Sequence, residues 1–211
     1  MAMSSPMKSL AKETFFYGMG SVLPKLLSWL LSLYWAFALP KISDIGALTN
    51  FYAWVALLQV ILTYGMETGF FRYANKEKDP VRVFSTTFLS IATTTTLFFV
   101  LAFLFLKPMA MALGGTAMKP HYLLLLVIIL CVDVLAAIPF ANLRFKKRPA
   151  RFAMIKVLNV LLTILLNLFF FLVCPFLQTH FPEAFSWFDL NKGVDYILIS
   201  NLAASVIQLL L

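Results

Sequence analysis

The sequence predicts an all-α integral membrane protein, built as a bundle of six transmembrane helices. Of its 211 residues, 62% are apolar and 12% are charged, whereas about a quarter of the residues in a soluble domain carry charge. Six apolar segments are long enough, or nearly so, to cross about 30 Å of hydrocarbon at about 20 residues per helix. A basic hairpin separates the fourth segment from the fifth and contains Arg144, Lys146, Lys147, Arg148 and Arg151. Short loops rich in Lys and Arg stay on the cytoplasmic side, so this hairpin also predicts the topology.

The six predicted spans follow one another with short connections. Their limits are residues 15–39, 48–73, 83–106, 121–145, 152–177 and 196–211. Pro149 is expected to stop the fourth helix and to let the fifth begin near Phe152, which makes the two helices antiparallel neighbours. The sixth span has only sixteen residues and no polar flank, so we expect the chain to be truncated within that helix.

The distribution of positive charge predicts a cytoplasmic N-terminus. With that orientation the inner segments hold eleven Lys and Arg residues, namely the five hairpin charges with Lys8, Lys12, Arg72, Lys76, Lys78 and Arg82. The outer loops hold four, which are Lys41, Lys107, Lys119 and Lys192. The net charge of +8 therefore indicates topology and attraction to anionic headgroups of the lipid bilayer, and no nucleic-acid partner is predicted.

No catalytic or cofactor-binding pattern occurs in the sequence. It contains no His pair at metal spacing, no nucleophile elbow and no phosphate-binding loop. His121 and His180 fall at outer span boundaries, where we expect them to be solvated. Cys131 and Cys174 fall inside apolar segments, as is usual for cysteines that only pack. We therefore predict neither an enzyme nor a bound cofactor.

Polar residues recur at helical spacing inside the apolar segments. They form the sets Gly18, Ser21, Lys25, Ser28 and Ser32; Gln59, Thr63 and Glu67; Thr86, Ser90 and Thr93 or Thr94; Lys156, Asn159, Thr163 and Asn167; and Asn201, Ser205 and Gln208. Such stripes predict a bundle with a hydrophilic centre, because polar groups are costly in hydrocarbon. Ser and Thr stripes can equally serve helix packing.

Three charges lie deep inside the predicted spans: Lys25, Glu67 and Asp133. A charge at depth costs several kcal/mol, so we expect Lys25 to pair with Glu67 or Asp133. Pro24 and Pro139 would locally break their helices, as happens near transporter binding sites. Intramembrane charges favour a functional site, and the alternative is an ion pair that only holds helices together.

Three stretches of the sequence resemble one family. They are KSLAKETFFYGMGSVLPKLLSWLLSLY, YGMETGFFRYANKEKDP and IPFANLRFKKRPARFAMIKVLNVLL. They are similar to the N-terminal half of bacterial polysaccharide or O-antigen flippases, within the multidrug, oligosaccharidyl-lipid and polysaccharide exporter superfamily. The most telling positions are Gly65, Glu67, Gly69 and Arg72 in the second stretch and Pro139, Arg144, Arg151 and Lys156 in the third.

The resemblance implies one lobe of a two-lobe transporter in the bacterial inner membrane. Such a transporter moves an oligosaccharide linked to undecaprenyl diphosphate between leaflets by alternating access. Residues 1–211 would form the N-terminal lobe, and the partner would be a missing C-terminal lobe. The alternatives are a cation-coupled multidrug exporter of the same superfamily, for which an acidic centre is expected, and a half-size or fragmentary protein that does not transport.

A lipid diphosphate needs cations inside or at the mouth of its cavity, and Arg suits phosphate through its planar fork. The candidates for this cationic path are Lys25, Arg72, Arg144 and Lys156. Glu67, Asp133, Gln59, Asn159 and Asn167 are the candidates for polar and charge pairing inside the membrane. The alternative for Arg72, Arg144 and Lys156 is that they reach toward headgroups and follow the inside-positive bias.

Overall fold

The structure is a computed structural model that describes residues 6–39, 42–114 and 119–211. These residues are 89% helical and contain no strand. Six helical segments are long and apolar enough to cross a membrane. The predicted all-α class with six helices of membrane-spanning length is thus confirmed. Lys41, assigned above to an outer loop, lies outside the described residues.

The helices divide the six segments more finely than the sequence suggested. Their bounds are α1 Pro6–Ala38, α2 Ile42–Thr63, α3 Met66–Lys76, α4 Pro80–Leu104, α5 Leu106–Gly114, α6 Pro120–Phe145, α7 Pro149–Leu168, α8 Cys174–His180 and α9 Gly193–Leu210. A π-helical turn, Phe169–Val173, joins α7 to α8, and a 3₁₀ turn, Leu190–Lys192, precedes α9.

The second predicted span is interrupted by a turn. Tyr64 and Gly65 have φ angles of 31° and 71°, and the turn that they form separates α2 from α3. Glycine adopts positive φ without the steric cost that a side chain adds. The short helix α3 buries Phe70 and Ala74 and leaves its other side exposed.

Helices α4 and α7 each begin three residues earlier than predicted, at a proline. Helix α4 starts at Pro80 because the Asp79 side chain accepts hydrogen bonds from the backbone N–H groups of Val81 and Arg82 at 3.1 and 3.2 Å. Helix α7 starts at Pro149, so this proline begins the helix after the basic hairpin. The hairpin itself is short, as expected, with Lys147 at a φ of 50°.

Helix α6 is the centre of the bundle. It packs against α2, α4 and α9, and Val134, Ile138 and α9's Ile197 are completely buried. Helix α7 lies between α9 and α1. Gly20 of α1 approaches α7 so closely that a Cβ atom there would lie 2.8 Å from the Cα atom of Ala153. The two cysteines are free and buried.

Candidate functional site

A polar cavity of about 370 Å³ lies between α2, α6, α7 and α9. Its walls include one acidic group, one basic group and four side-chain amides. The polar residues that line it are Tyr52, Gln59, Asp133, Lys156, Asn159, Asn201, Ser205 and Gln208. Side chains of this kind are rare in a bundle whose helices are otherwise strongly apolar.

Helical periodicity brings these residues to one place. Asn201, Ser205 and Gln208 are spaced by four and three residues, so they share one face of α9. Lys156 and Asn159 share a face of α7 in the same way. The predicted polar stripes of the second, fifth and sixth spans therefore contribute to one cavity, although Thr63, Glu67, Thr163 and Asn167 do not line it.

The two charges of this cavity lie apart from each other. In the described part of the chain, ion-pair contacts within 4.0 Å join only Glu67 to Arg144 and His121 to Asp195. Asp133 and Lys156 remain within electrostatic range of one another. The Lys156 Nζ donates to Gln208 Oε1 at 3.5 Å and lies 4.2 Å from the centre of the Phe140 ring. An amide and an aromatic face thus stabilise the ammonium, and space is left beside it.

Tyrosine and tryptophan side chains connect the cavity wall to α1. The Asn201 side-chain amide donates a hydrogen bond to the Tyr52 hydroxyl. The Tyr52 ring stacks on Trp35, with 6.4 Å between centroids and 14° between planes. Trp35 Nε1 in turn donates to Asn167 Oδ1 at 2.9 Å. Asn167 is fully buried and donates to the Thr163 carbonyl at 2.8 Å, so it joins helices outside the cavity.

A second pair of charges joins α3 to α6. Arg144 Nη2 donates to Glu67 Oε2 at 2.6 Å. The guanidinium also lies over the rings of Phe71 and Phe152, 5.6 and 5.8 Å from their centres. Arg144 Nε is buried and has no hydrogen-bond partner among the described residues.

The expected pairing of Lys25 with Glu67 or Asp133 is wrong. Glu67 pairs with Arg144, Asp133 faces Lys156 across the cavity, and Lys25 lies on an exposed face of α1. The helix contacts α7 through Gly20, and five residues along a helix turn Lys25 well away from that contact. Arg72 is likewise exposed, on α3. Of the four residues in the predicted cationic path, Arg144 and Lys156 are electrostatic neighbours, and the other two are on outer surfaces.

Sequence reasoning missed a contact at the opposite end of the bundle. His121 Nε2 lies 2.9 Å from Asp195 Oδ1, although His121 was expected to be solvated, and its side chain is half exposed. The two residues are 74 positions apart, so no local pattern could indicate the pair. Nearby, hydrogen bonds from the backbone and side-chain N–H groups of Asn191 hold the pKa of Asp189 below its ordinary value. This carboxylate caps the 3₁₀ turn that leads into α9.

The site residues do not suggest a metal centre. Within the described ranges, no three His, Cys, Asp or Glu side chains come together as metal ligands. Comparison with protein-family models, curated proteins and solved structures gave no match. The cavity's own chemistry therefore carries the argument about function.

Proposed function

We propose that this chain is one six-helix lobe of a transporter that moves a lipid-linked oligosaccharide across the bacterial inner membrane. The observation that carries the proposal is the polar cavity, in which Asp133 and Lys156 face each other among four amides. A structural ion pair would bring its charges into contact, whereas these two charges line one cavity and are not within 4.0 Å of each other. The family resemblance supplies the substrate class, and it also supplies the second lobe as partner.

The chemistry of the cavity suits a sugar attached to a diphosphate. Gln59, Asn159, Asn201 and Gln208 each carry donors and acceptors, as sugar hydroxyl groups require. Lys156 lines the cavity, Arg144 lies within electrostatic range of Lys156, and a guanidinium suits phosphate oxygens. In this proposal the N-terminus is cytoplasmic, so the lipid reaches Arg144 before Lys156.

The two exposed cations receive a different role. Lys25 lies on α1 with Ser21, Ser28 and Ser32, which are all exposed, and this polar stripe is the surface that would face the second lobe. Arg72, on the exposed side of α3, would meet the headgroup region. Neither residue is required to touch the sugar within this lobe.

Surface polysaccharide provides the direct test. A strain that lacks its own copy of the gene receives the wild-type protein, Lys156→Gln, Asp133→Asn or Asn159→Ala, and Lys192→Gln serves as an exposed charge control. We expect the cavity variants to lower surface polysaccharide and to raise the lipid-linked oligosaccharide in membrane extracts, while the control matches wild type. Normal polysaccharide from all three cavity variants, at normal membrane abundance, would contradict the proposal.

The second candidate function is a cation-coupled multidrug exporter, and the Asp133 carboxylate in the cavity favours it. Lys156 weakens this alternative, since it already compensates the acidic group that a coupling cation would need. Proton-driven efflux of ethidium distinguishes the two functions. Efflux that is lost in Asp133→Asn, with polysaccharide unchanged, favours the exporter, whereas a protein active in neither assay fits a chain that does not transport.

A further inference from the structure

A second polar cleft lies between α3 and α4, away from the Asp133–Lys156 cavity. Its volume is about 830 Å³. Lys76, Lys78 and Arg82 line it where α3 ends and α4 begins. The cleft is at the same end of the bundle as the basic hairpin, because Glu67 and Phe70 of α3 contact Arg144 and Phe145 at the end of α6.

The charged residues of this cleft lie around the junction of α3 and α4, and their net charge is positive. Glu77 and Asp79 line it together with the three cations, which leaves an excess of one positive charge. The Asp79 carboxylate already accepts hydrogen bonds from the backbone N–H groups of Val81 and Arg82. It is therefore less able to compensate the neighbouring cations, and an anionic group is favoured between Lys76, Lys78 and Arg82.

The deeper part of the cleft offers little to a polar ligand. Met66, Gly69 and Val83 are apolar. The hydroxyls of Thr86 and Thr87 donate to carbonyls of their own helix, at 2.9 and 2.7 Å. The Ser90 hydroxyl is bonded to that of Tyr64 at 3.0 Å. Because Ser90 is eight residues beyond Arg82, this part extends about 12 Å along α4 from the cations.

We propose that the α3–α4 cleft binds an anionic glycerophospholipid. Its phosphate would lie among Lys76, Lys78 and Arg82, and the first part of an acyl chain would lie along Met66, Gly69 and Val83. Basic pockets between membrane helices on the cytoplasmic side are sites of this kind. The site is separate from the proposed transport cavity, and the proposal does not depend on which substrate is transported.

Native mass spectrometry of the purified protein tests the site with phosphatidylglycerol and phosphatidylcholine as probes. We expect the wild type to prefer phosphatidylglycerol. Each lost cation should weaken its binding about fivefold, and Lys76→Gln with Arg82→Gln should weaken it roughly 30-fold. Lys147→Gln is the matched control, because it removes an exposed hairpin charge that does not line the cleft. Equal binding of both lipids to the wild type would overturn the proposal.

Gly69 allows a test that leaves the charges unchanged. A Cβ atom at position 69 would have no atom of a neighbouring segment within 4 Å. Gly69→Leu therefore extends a side chain from an open position on the cleft wall, and Gly69→Ala is its small control. We expect Gly69→Leu to abolish the binding of phosphatidylglycerol and Gly69→Ala to leave it unchanged. If the charge variants weaken binding and Gly69→Leu does not, the lipid binds at the surface and the cleft assignment is wrong.

Two further measurements need no variant. Added KCl should weaken the binding of phosphatidylglycerol and leave the binding of phosphatidylcholine unchanged, because salt screens the contacts of the charged headgroup. Competition distinguishes the sources of phosphate. Inorganic phosphate should not displace phosphatidylglycerol, and farnesyl diphosphate should do so only weakly. Strong displacement by farnesyl diphosphate would make the cleft a polyprenyl diphosphate site, and strong displacement by inorganic phosphate would exclude a site for a whole lipid.

Discussion

Two pairs of opposite charges, Glu67 with Arg144 and Asp133 with Lys156, differ in how they are held. Glu67 and Arg144 are in direct contact at 2.6 Å, with side chains 39% and 34% exposed. Asp133 and Lys156 face one cavity without an ion-pair contact. The first pair ties α3 to α6, and the second lies between α6 and α7 with amides from α2 and α9 around it.

The difference separates a pair that joins helices from a pair that leaves room for a ligand. Charges in contact satisfy each other, although the buried Arg144 Nε has no hydrogen-bond partner among the described residues. Charges held apart depend on neighbouring dipoles, and a guest molecule can replace those neighbours. The two pairs are also coupled, because Lys156 lies within electrostatic range of both Glu67 and Arg144. A ligand that reaches one pair will therefore affect the other.

The largest expected effect is on labelling from the two sides of the membrane, which shows the side on which each end of the bundle lies. In a protein whose buried Cys131 and Cys174 are replaced by Ala, Arg148→Cys should react with an impermeant maleimide only after lysis, and Trp187→Cys should react in intact spheroplasts. Both positions are exposed. The opposite pattern would put the Glu67–Arg144 pair at the outer surface and would overturn the orientation.

Removing one charge from the cavity should be more destabilising than the other substitutions. Lys156→Met or Asp133→Asn leaves the other charge uncompensated, and we expect a loss of roughly 3 kcal/mol. The double variant should recover most of this stability, because no unpaired charge remains. The free energy of unfolding of the wild type, the single variants and the double variant is measured in mixed detergent with increasing dodecyl sulfate. Single variants as stable as wild type would show that water, and not the partner, compensates each charge.

A substitution at Gly20 tests the close contact between α1 and α7, the helix that carries Lys156 and Phe152. Gly20→Ala would place a Cβ 2.8 Å from the Cα atom of Ala153, next to Phe152, whose ring lies under Arg144. We expect a loss of about 1–3 kcal/mol in the same unfolding assay, since backbone on both sides resists the shift. Gly18→Ala is the matched control, because nothing lies within 4 Å of its Cβ, and it should be neutral or stabilising by up to about 1 kcal/mol. Equal effects of the two variants would mean that α1 does not pack closely on α7.

Much of the fold could be predicted from local patterns, and its breaks could not. Apolar length located all six segments, and the Lys and Arg cluster located the hairpin between α6 and α7. The turn at Tyr64 and Gly65 was missed because a single glycine within an apolar stretch does not reveal a positive φ. The starts of α4 and α7 were predicted three residues too late, although Pro80 and Pro149 are typical first residues of helices.

The candidate site could be predicted in its components but not in its pairings. The stripes identified Gln59, Lys156 and Asn159, and the search for charges at depth identified Asp133; all four line one cavity. Periodicity gives the face of each helix but not the neighbour that this face meets. The sequence analysis therefore predicted Lys25 as a partner of Glu67, whereas the actual partner is Arg144, 77 residues further along the chain.

A charge exchange tests whether Glu67 and Arg144 only join helices. Glu67→Gln or Arg144→Gln should each cost about 1 kcal/mol, because partial exposure weakens an ion pair. The exchange of Glu67→Arg with Arg144→Glu should restore part of that stability. Arg148→Gln, in the exposed hairpin, is the control and should have no measurable effect. If the exchange restores stability but not surface polysaccharide, Arg144 contacts the substrate, and recovery of both would make the pair purely structural.

The smallest expected effect concerns Asn167, a predicted polar residue that the structure assigns to helix packing. Asn167→Ala removes the acceptor of the Trp35 Nε1–H bond, and hydrogen bonds between membrane helices are worth about 0.6 kcal/mol on average. Asn75→Ala is the matched control, because Asn75 is exposed and its side-chain amide donates to the Phe71 carbonyl of its own helix at 2.8 Å. Trp35→Phe with Asn167→Ala completes a double-mutant cycle, and its coupling energy isolates the Trp35–Asn167 hydrogen bond from the bond of Asn167 to the Thr163 carbonyl. Since Asn167 does not line the cavity, surface polysaccharide should remain normal in this variant at normal protein abundance. Polysaccharide lost without a loss of stability would place Asn167 among the substrate contacts and would blur the distinction between charges that leave room for a ligand and groups that only join helices.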